Sequence, residues 1–169
     1  MNWLNLWNIS NLRKNNLYYV KQLSHMPVYN LFMVTEELYS LAERKNIGIN
    51  FFRIRKKGFT TKLNGNYEIG LSIEVLASQI QEKEALAEEL AHCLTGTVYP
   101  ISSVATALGR LNIIKCERLA RQTAAMLLVP LNELKSLLSL PIYEIAEELA
   151  VSEQSVSTAI EYYQLKGLL

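Results

Sequence analysis

Apolar residues recur at helical spacing from Met33 to Lys45, where Val34, Leu38 and Leu41 fall on one face. Acidic residues follow Thr35 at the start of this stretch, as is common in the first turn of a helix. The pattern predicts an amphipathic helix as the first regular element of the folded part of the chain.

The pattern then changes to partial alternation of apolar and polar residues, which is typical of strands. Three stretches show it: Ile47 to Ile54, Phe59 to Leu63, and Tyr67 to Ile73. The last two are separated by Asn64-Gly65, a strong signal for a two-residue hairpin turn. We therefore predict a small antiparallel sheet of about three strands.

After Ala77 the helical period returns and continues almost to the end of the chain. The predicted helices are Gln79 to Leu94, Leu111 to Val129, Leu131 to Leu138, and two within Pro141 to Leu168 joined at Val151-Ser152. A helix, a small sheet and a series of helices together predict the α+β class.

Composition narrows the class of protein. The chain has 169 residues, half of them hydrophobic, and a formal net charge of +1. Its length is sufficient to form one hydrophobic core without stabilisation by disulfides or a structural metal, and its 2 cysteines are too few for a disulfide framework. The lack of a basic excess argues against a dedicated nucleic-acid binder. No apolar run is long enough for a transmembrane helix, so a cytoplasmic protein with no membrane partner is expected.

The chain divides into three predicted parts. Residues 1–30 hold Arg13, Lys14 and Lys21 but no acidic residue, and we expect a loosely attached or non-native arm that makes a poor signal peptide. Residues 31–138 are predicted to form the main domain. Residues 139–169 are predicted to form a C-terminal helical segment similar to a helix-turn-helix.

The segment Glu88-Glu89-Leu90-Ala91-His92 is the strongest candidate for chemistry. Positions i and i+4 lie on one face of a helix, so Glu88 and His92 can offer an oxygen and a nitrogen to a single ion. Glu89 lies about 100 degrees further round the helix, where it can contact a water at that ion. An ordinary amphipathic helix with a solvated Glu88–His92 pair would show the same pattern.

Glu117 is the candidate for a third ligand, because a catalytic zinc takes three protein ligands and keeps one open position. It lies on a helical face with Ile113, Ile114 and Ala120, where an unpaired carboxylate is costly to bury. An ion pair with Arg121, one turn further on, would also satisfy it. The alanines at 85, 91, 120 and 124 would let the two helices approach closely.

These segments resemble the ImmA/IrrE family of metallopeptidases. The resemblance runs from about Val34 to Tyr163, and it is strongest over Glu84 to His92 and over Glu117-Arg118-Leu119-Ala120. Leu127-Leu128-Val129-Pro130 is similar to the family's Leu-x-Pro ending of the second helix. The family's fold is a zincin-like mini-domain, with a metal-bearing helix pair beside a small sheet and a C-terminal helical hairpin.

The resemblance implies a role for each site residue. Glu88, His92 and Glu117 fall on the metal ligands and Glu89 on the general base; no other cofactor-binding residue is expected. Glu88 stands where the family usually has His, giving the E-E-x-x-H variant seen in phage-type members. The resemblance implies zinc as the ion, and the ligand set of two carboxylates and one imidazole makes Mn²⁺ more competitive than usual. Arg121 stands where many members have the Asp or Asn that orients the ligating histidine.

The implied activity is metal-dependent hydrolysis of a peptide bond, and the implied substrate is a helix-turn-helix repressor of the same phage or mobile element. The alternative is a catalytically inactive zincin-like module that binds a repressor or another protein partner.

Two further features have competing interpretations. Residues 148–156 look like a helix-turn-helix, but the segment from Pro141 onward is acidic, so we expect no direct contact with nucleic acid. A basic patch contains Arg53, Arg55, Lys56, Lys57 and Lys62. It is either a solvated strand edge that discourages aggregation or part of a substrate groove.

Overall fold

A computed structural model describes the backbone of residues 29–98 and 107–169, and within these ranges the side chains of residues 35–98 and 109–169. Residues 1–28, most of the predicted N-terminal arm, lie outside the described part. The helices are α1 (Tyr29–Arg44), α2 (Gln79–Thr95), α3 (Ala107–Leu128), α4 (Leu131–Leu137), α5 (Ile142–Glu148) and α6 (Glu153–Leu165). The strands are β1 (Gly48–Phe52), β2 (Gly58–Leu63) and β3 (Asn66–Ser72). The α+β class is confirmed.

The sheet has the order β1-β3-β2, with β3 in the centre. β2 and β3 form the predicted antiparallel hairpin, and Asn64 and Gly65 both adopt positive φ, as a tight hairpin turn of this kind requires. β1 pairs with β3 in parallel, so the prediction of a purely antiparallel sheet is wrong for this strand. β2 lies at the opposite edge of the sheet from β1, and the hairpin turn after it places β3 between these two strands, in the same direction as β1.

Helix α2 lies at the centre of the molecule, in contact with α1, α3, β2 and β3. Ser78 caps its N-terminus by accepting a hydrogen bond from the Gln81 amide, and Gly96 ends it in the left-handed conformation. The small residues expected to bring α2 and α3 together are all buried: Ala85, Ala91, Ala120 and Ala124. The close approach of the two helices is therefore confirmed.

The first turns of α2 hold the C-terminal helices α5 and α6. The buried Lys83 Nζ donates to the carbonyl oxygen of Leu149 at 2.7 Å and lies 3.4 Å from that of Ala150, beyond the end of α5. Glu84 Oε1 accepts hydrogen bonds from the Ser152 amide at 2.8 Å and the Ser155 hydroxyl at 2.7 Å, at the start of α6.

This arrangement places each charge at the helix end that stabilises it. A helix carries partial negative charge at its C-terminus and partial positive charge at its N-terminus. The ammonium of Lys83 meets the carbonyls after the α5 end, and the carboxylate of Glu84 meets the Ser152 amide and the Ser155 hydroxyl at the α6 start. We name this pair and its partners the α2 clamp. A further hydrogen bond, from the Tyr163 hydroxyl to the Val129 carbonyl oxygen at 2.9 Å, fixes α6 to the end of α3.

No helix in residues 29–98 or 107–169 combines the length and the apolar character needed to cross a membrane.

Lys83→Met is expected to change how stability depends on pH. Burial lowers the pKa of Lys83 from 10.5 to about 8, against the opposing charges of Glu133 and Glu84. Between these values the unfolded chain holds a proton that the folded protein has released, so stability from this group rises with pH. Between about pH 7.5 and pH 9, the free energy of unfolding of the wild type should rise by about 1 kcal/mol relative to that of the variant, as measured by urea unfolding.

The comparison of wild type with variant removes the titration of groups common to both proteins, such as Cys93. A difference in unfolding free energy that stays flat or falls over the same pH range would contradict the assignment of a buried ammonium to Lys83.

Candidate metal centre

Glu88, His92 and Glu117 meet at the surface between α2 and α3. One ligand atom from each residue can be chosen so that all three lie within 4.8 Å of one another. His92 Nε2 and Glu117 Oε2 are 3.8 Å apart. Ligands of a tetrahedral zinc ion are separated by about 3.4 Å, given bonds of about 2.1 Å. The three residues proposed from the sequence are therefore brought together at a separation close to that of a metal site.

The two helices contribute groups of different exposure. The His92 side chain is 11% exposed, whereas the Glu117 side chain keeps 35% of its surface in contact with solvent. Glu117 is thus less buried than the sequence suggested, and Ile114, expected on the same face, is 63% exposed as well. The site thus combines a buried imidazole with two carboxylates, those of Glu88 and Glu117, that are partly exposed to solvent.

Thr97 orients the imidazole of His92. His92 Nδ1 lies 3.0 Å from Thr97 Oγ1 and 3.3 Å from the Thr97 carbonyl oxygen. The Thr97 hydroxyl is in turn 2.8 Å from that of Thr95, which donates to the Ala91 carbonyl oxygen at 2.6 Å. The residue that positions the histidine is thus a threonine in the turn that follows its own helix.

The direction of each hydrogen bond in this chain is fixed by its two ends. A carbonyl oxygen only accepts, so the Thr95 proton goes to Ala91, and the Thr97 hydroxyl must donate to Thr95. Thr97 can then only accept from His92 Nδ1, as its own carbonyl oxygen also does. The Nδ1 atom of His92 therefore carries a proton, and in the neutral ring Nε2 presents its lone pair toward Glu117.

The turn after α2 makes this arrangement possible. Gly96 has a φ of 67°, which reverses the chain so that the Thr97 amide bonds back to the His92 carbonyl oxygen at 3.1 Å. Glycine adopts this left-handed conformation without the cost that a Cβ imposes. The helix ending therefore brings Thr97 beneath the imidazole ring.

Glu89 lies against strand β2, on the side of α2 next to the three clustered groups. The Thr60 hydroxyl donates to Glu89 Oε2 at 2.6 Å and is also 3.1 Å from the Glu89 carbonyl oxygen. A Cβ on Gly58 would lie 2.8 Å from Glu89 Cγ, so the strand approaches closely only because this residue has no side chain. Thr60 and Gly58 together hold the carboxylate in one position.

Burial raises the pKa of Glu89 above its ordinary value of 4.5. The hydrogen bond from Thr60 and the nearby His92 oppose this shift, while the carboxylates of Glu88 and Glu117 add to it. Glu89 and His92 are both only 9% exposed, which does not fit the alternative of a solvated face on an ordinary amphipathic helix.

The two positioning residues, Thr60 and Thr97, were not found from the sequence. Thr60 is 29 positions from Glu89 and reaches it only through the packing of β2 on α2. For Thr97 a signal exists, because it directly follows the glycine predicted to cap α2. The sequence predicts no orienting partner for His92 on α3, because Arg121 occupies that position. In the structure Thr97, which follows α2, is the orienting partner instead.

The chain belongs to the peptidase family M78, described as the IrrE N-terminal-like domain, whose family model matches residues 42–161. M78 is a family of metallopeptidases, and this match confirms the resemblance to the ImmA/IrrE family predicted from the sequence. The matched region contains α2 and α3, and with them the four candidate site residues Glu88, Glu89, His92 and Glu117. The comparison with curated proteins gave no match. The comparison with solved structures gave none either.

The buried Cys93 lies beside the candidate centre but outside the group of clustered ligand atoms. Burial raises the pKa of its thiol to about 11, with the charge of Glu89 adding to the effect and a hydrogen bond with Thr60 opposing it. The thiolate, which is the reactive form and the metal-binding form, is therefore scarce near neutral pH.

Cys93 is expected to react with iodoacetamide at least about tenfold more slowly than the partly exposed Cys116 at about pH 8, because burial shields its sulfur and keeps its thiolate scarce. Mass spectrometry of peptides from a time course measures both rates in one sample, so each thiol serves as the other's control. Equal rates would contradict the buried, protonated state of Cys93.

Proposed function

We propose that this protein is a metal-dependent endopeptidase in which Glu88, His92 and Glu117 hold a divalent cation. One observation carries the proposal. The Nδ1 proton of His92 is committed to Thr97, so in the neutral ring the Nε2 lone pair faces the carboxylate of Glu117 at 3.8 Å. Two acceptors in this position are stabilised by a cation between them.

The donor set fits a divalent metal ion. Imidazole nitrogen and carboxylate oxygen both bind zinc, and three protein ligands leave one position open. Two carboxylates make the site more anionic than one with two histidines, which makes Mn²⁺ a stronger competitor. We take zinc as the ion, with manganese as the alternative that metal analysis would distinguish.

A cation held at this site supplies Lewis acidity to the scissile carbonyl and to the attacking water. Glu89 then acts as the general base at its carboxylate, taking the proton from that water and passing it to the leaving amine nitrogen. Its raised pKa suits both steps, because a base is most effective when its pKa lies close to the working pH. Thr60 positions the carboxylate through the hydrogen bond to Oε2.

The proposed substrate is a helix-turn-helix repressor of a phage or other mobile element, cleaved in the cytoplasm. Support for this substrate comes from the similarity of Glu84 to His92 and of Glu117 to Ala120 to phage-type members of the family.

Glu89→Gln is expected to lower the rate of peptide hydrolysis about 100-fold or more, because the amide cannot accept the water's proton. The assay incubates the zinc-loaded protein with a purified helix-turn-helix repressor of a phage or other mobile element and follows the intact repressor on a gel. Glu153→Gln, the same change at an exposed position on α6, is the control and should keep full activity.

The Glu89→Gln variant should still bind zinc, because Glu89 is not among the proposed ligands. If this variant inactivates the repressor at the wild-type rate, hydrolysis is not the function, and the alternative of a binding module is favoured instead. A wild-type protein that leaves the repressor intact would also overturn the peptidase proposal.

Thr97→Val is expected to weaken zinc binding about tenfold, because the imidazole loses the hydroxyl that fixes its orientation. Thr97→Ser restores that hydroxyl and should restore the affinity. Competition with a chromophoric chelator measures the dissociation constant. Thr61→Val, the same change on the opposite face of β2, is the control. Equal affinities for Thr97→Val and the wild type would contradict the positioning role.

A further inference from the structure

The connection between β1 and β2 is a strongly basic segment on the surface. Arg53, Arg55, Lys56 and Lys57 are all exposed, and they occupy four of its five positions. We call this segment, residues 53–57, the basic loop. Within the described side chains, no carboxylate lies within ion-pair distance of any of its four cations. Its charge is therefore not neutralised by neighbouring groups in this part of the structure.

The basic loop ends directly before Gly58, the residue that lies against the candidate general base Glu89. Lys57 precedes Gly58, whose backbone lies against the carboxylate of Glu89. The Lys57 carbonyl oxygen accepts a hydrogen bond from the Ser72 amide at 2.8 Å, which fixes the end of the loop to the end of β3. The positive charge is thus held at the rim of the candidate metal centre.

Strand β2 offers a place for an extended polypeptide beside the same centre. In the described sheet, β2 pairs with β3 on one side and has no strand on the other. Alternate backbone amides and carbonyls at such an edge can pair with an added strand. Because Thr60 of β2 contacts Glu89, a segment lying along this edge passes next to the reacting groups.

Two aromatic rings provide an apolar surface next to the basic loop. Phe52 precedes the loop and Phe59 follows it closely; both are 39% exposed and their ring centroids are 5.8 Å apart. A charged loop that only discouraged strand-to-strand aggregation would need neither this apolar surface nor a place at the rim of the site. Charge, apolar surface and open edge together fit a polypeptide that carries both acidic and apolar residues.

We propose that the basic loop binds acidic residues of an extended polypeptide lying along β2, so that the site selects acid-rich segments. This inference rests on the proposed peptidase function for its cleavage part, and on the surface charge of the loop for its binding part. The occupant is therefore a peptide segment with carboxylates beside apolar side chains.

The test uses two fluorescently labelled peptides that differ only in the replacement of glutamates by glutamines around an apolar centre. Binding is measured by anisotropy with the full chain carrying Glu89→Gln, so that no hydrolysis is needed. Cleavage is measured separately with Glu89 intact. The loop variant is R55E/K56E, and the matched control K45E/K135E makes the same change in net charge at exposed sites on other parts of the surface.

The glutamate peptide should bind about tenfold more tightly than the glutamine peptide to the protein with an unchanged loop. R55E/K56E should remove this preference, R55Q/K56Q should reduce it, and K45E/K135E should keep it. Added salt should weaken the preference, since exposed charges are screened. Unchanged zinc affinity and circular dichroism show that each variant is folded.

Equal binding of the two peptides, or a preference that survives R55E/K56E, would overturn this inference whatever the cleavage assay shows. Tighter binding of a single-stranded DNA oligonucleotide than of the glutamate peptide would also overturn it. Preferential binding without cleavage of either peptide would support the inference and count against the peptidase function, which separates the two proposals.

Discussion

The burial of α2 is the constraint on which the rest of the structure depends. The helix is enclosed by α1, α3 and the sheet, so its buried polar side chains, Lys83, Glu89 and His92, lie where water cannot satisfy them. Each uses a protein partner instead: Lys83 the carbonyls after α5, Glu89 the Thr60 hydroxyl, and His92 the Thr97 hydroxyl. Among the described side chains, no buried polar atom lacks a hydrogen-bond partner.

The same burial has opposite effects on two charged groups of this helix. Desolvation is the largest influence on both Lys83 and Glu89, and it lowers the pKa of the first and raises that of the second. In each case it disfavours the charged form. In the α2 clamp the lowered pKa of Lys83 results from the same burial that joins the C-terminal helices to the core. At the candidate centre the same effect raises the pKa of Glu89, the residue proposed as the general base.

The sequence predicted what depends on neighbouring residues and missed what depends on packing. Caps and turns located the elements, as Gly96 and Asn64-Gly65 show, and the i, i+4 spacing placed Glu88 and His92 on one face of α2. The parallel direction of β1 depends on how the hairpin folds back, which no local pattern encodes. Thr60 likewise reaches Glu89 across 29 positions, through tertiary packing alone.

The α2 clamp also has a consequence for synthesis on the ribosome. Lys83 and Glu84 are separated by 66 to 71 positions from the partners that satisfy them. While the nascent chain is too short to include those partners, Lys83 and Glu84 stay hydrated. Burying α2 at that stage would leave both charges without a hydrogen-bond partner, which is energetically costly. The centre carried by the same helix therefore reaches its finished form only after translation has passed the start of α6.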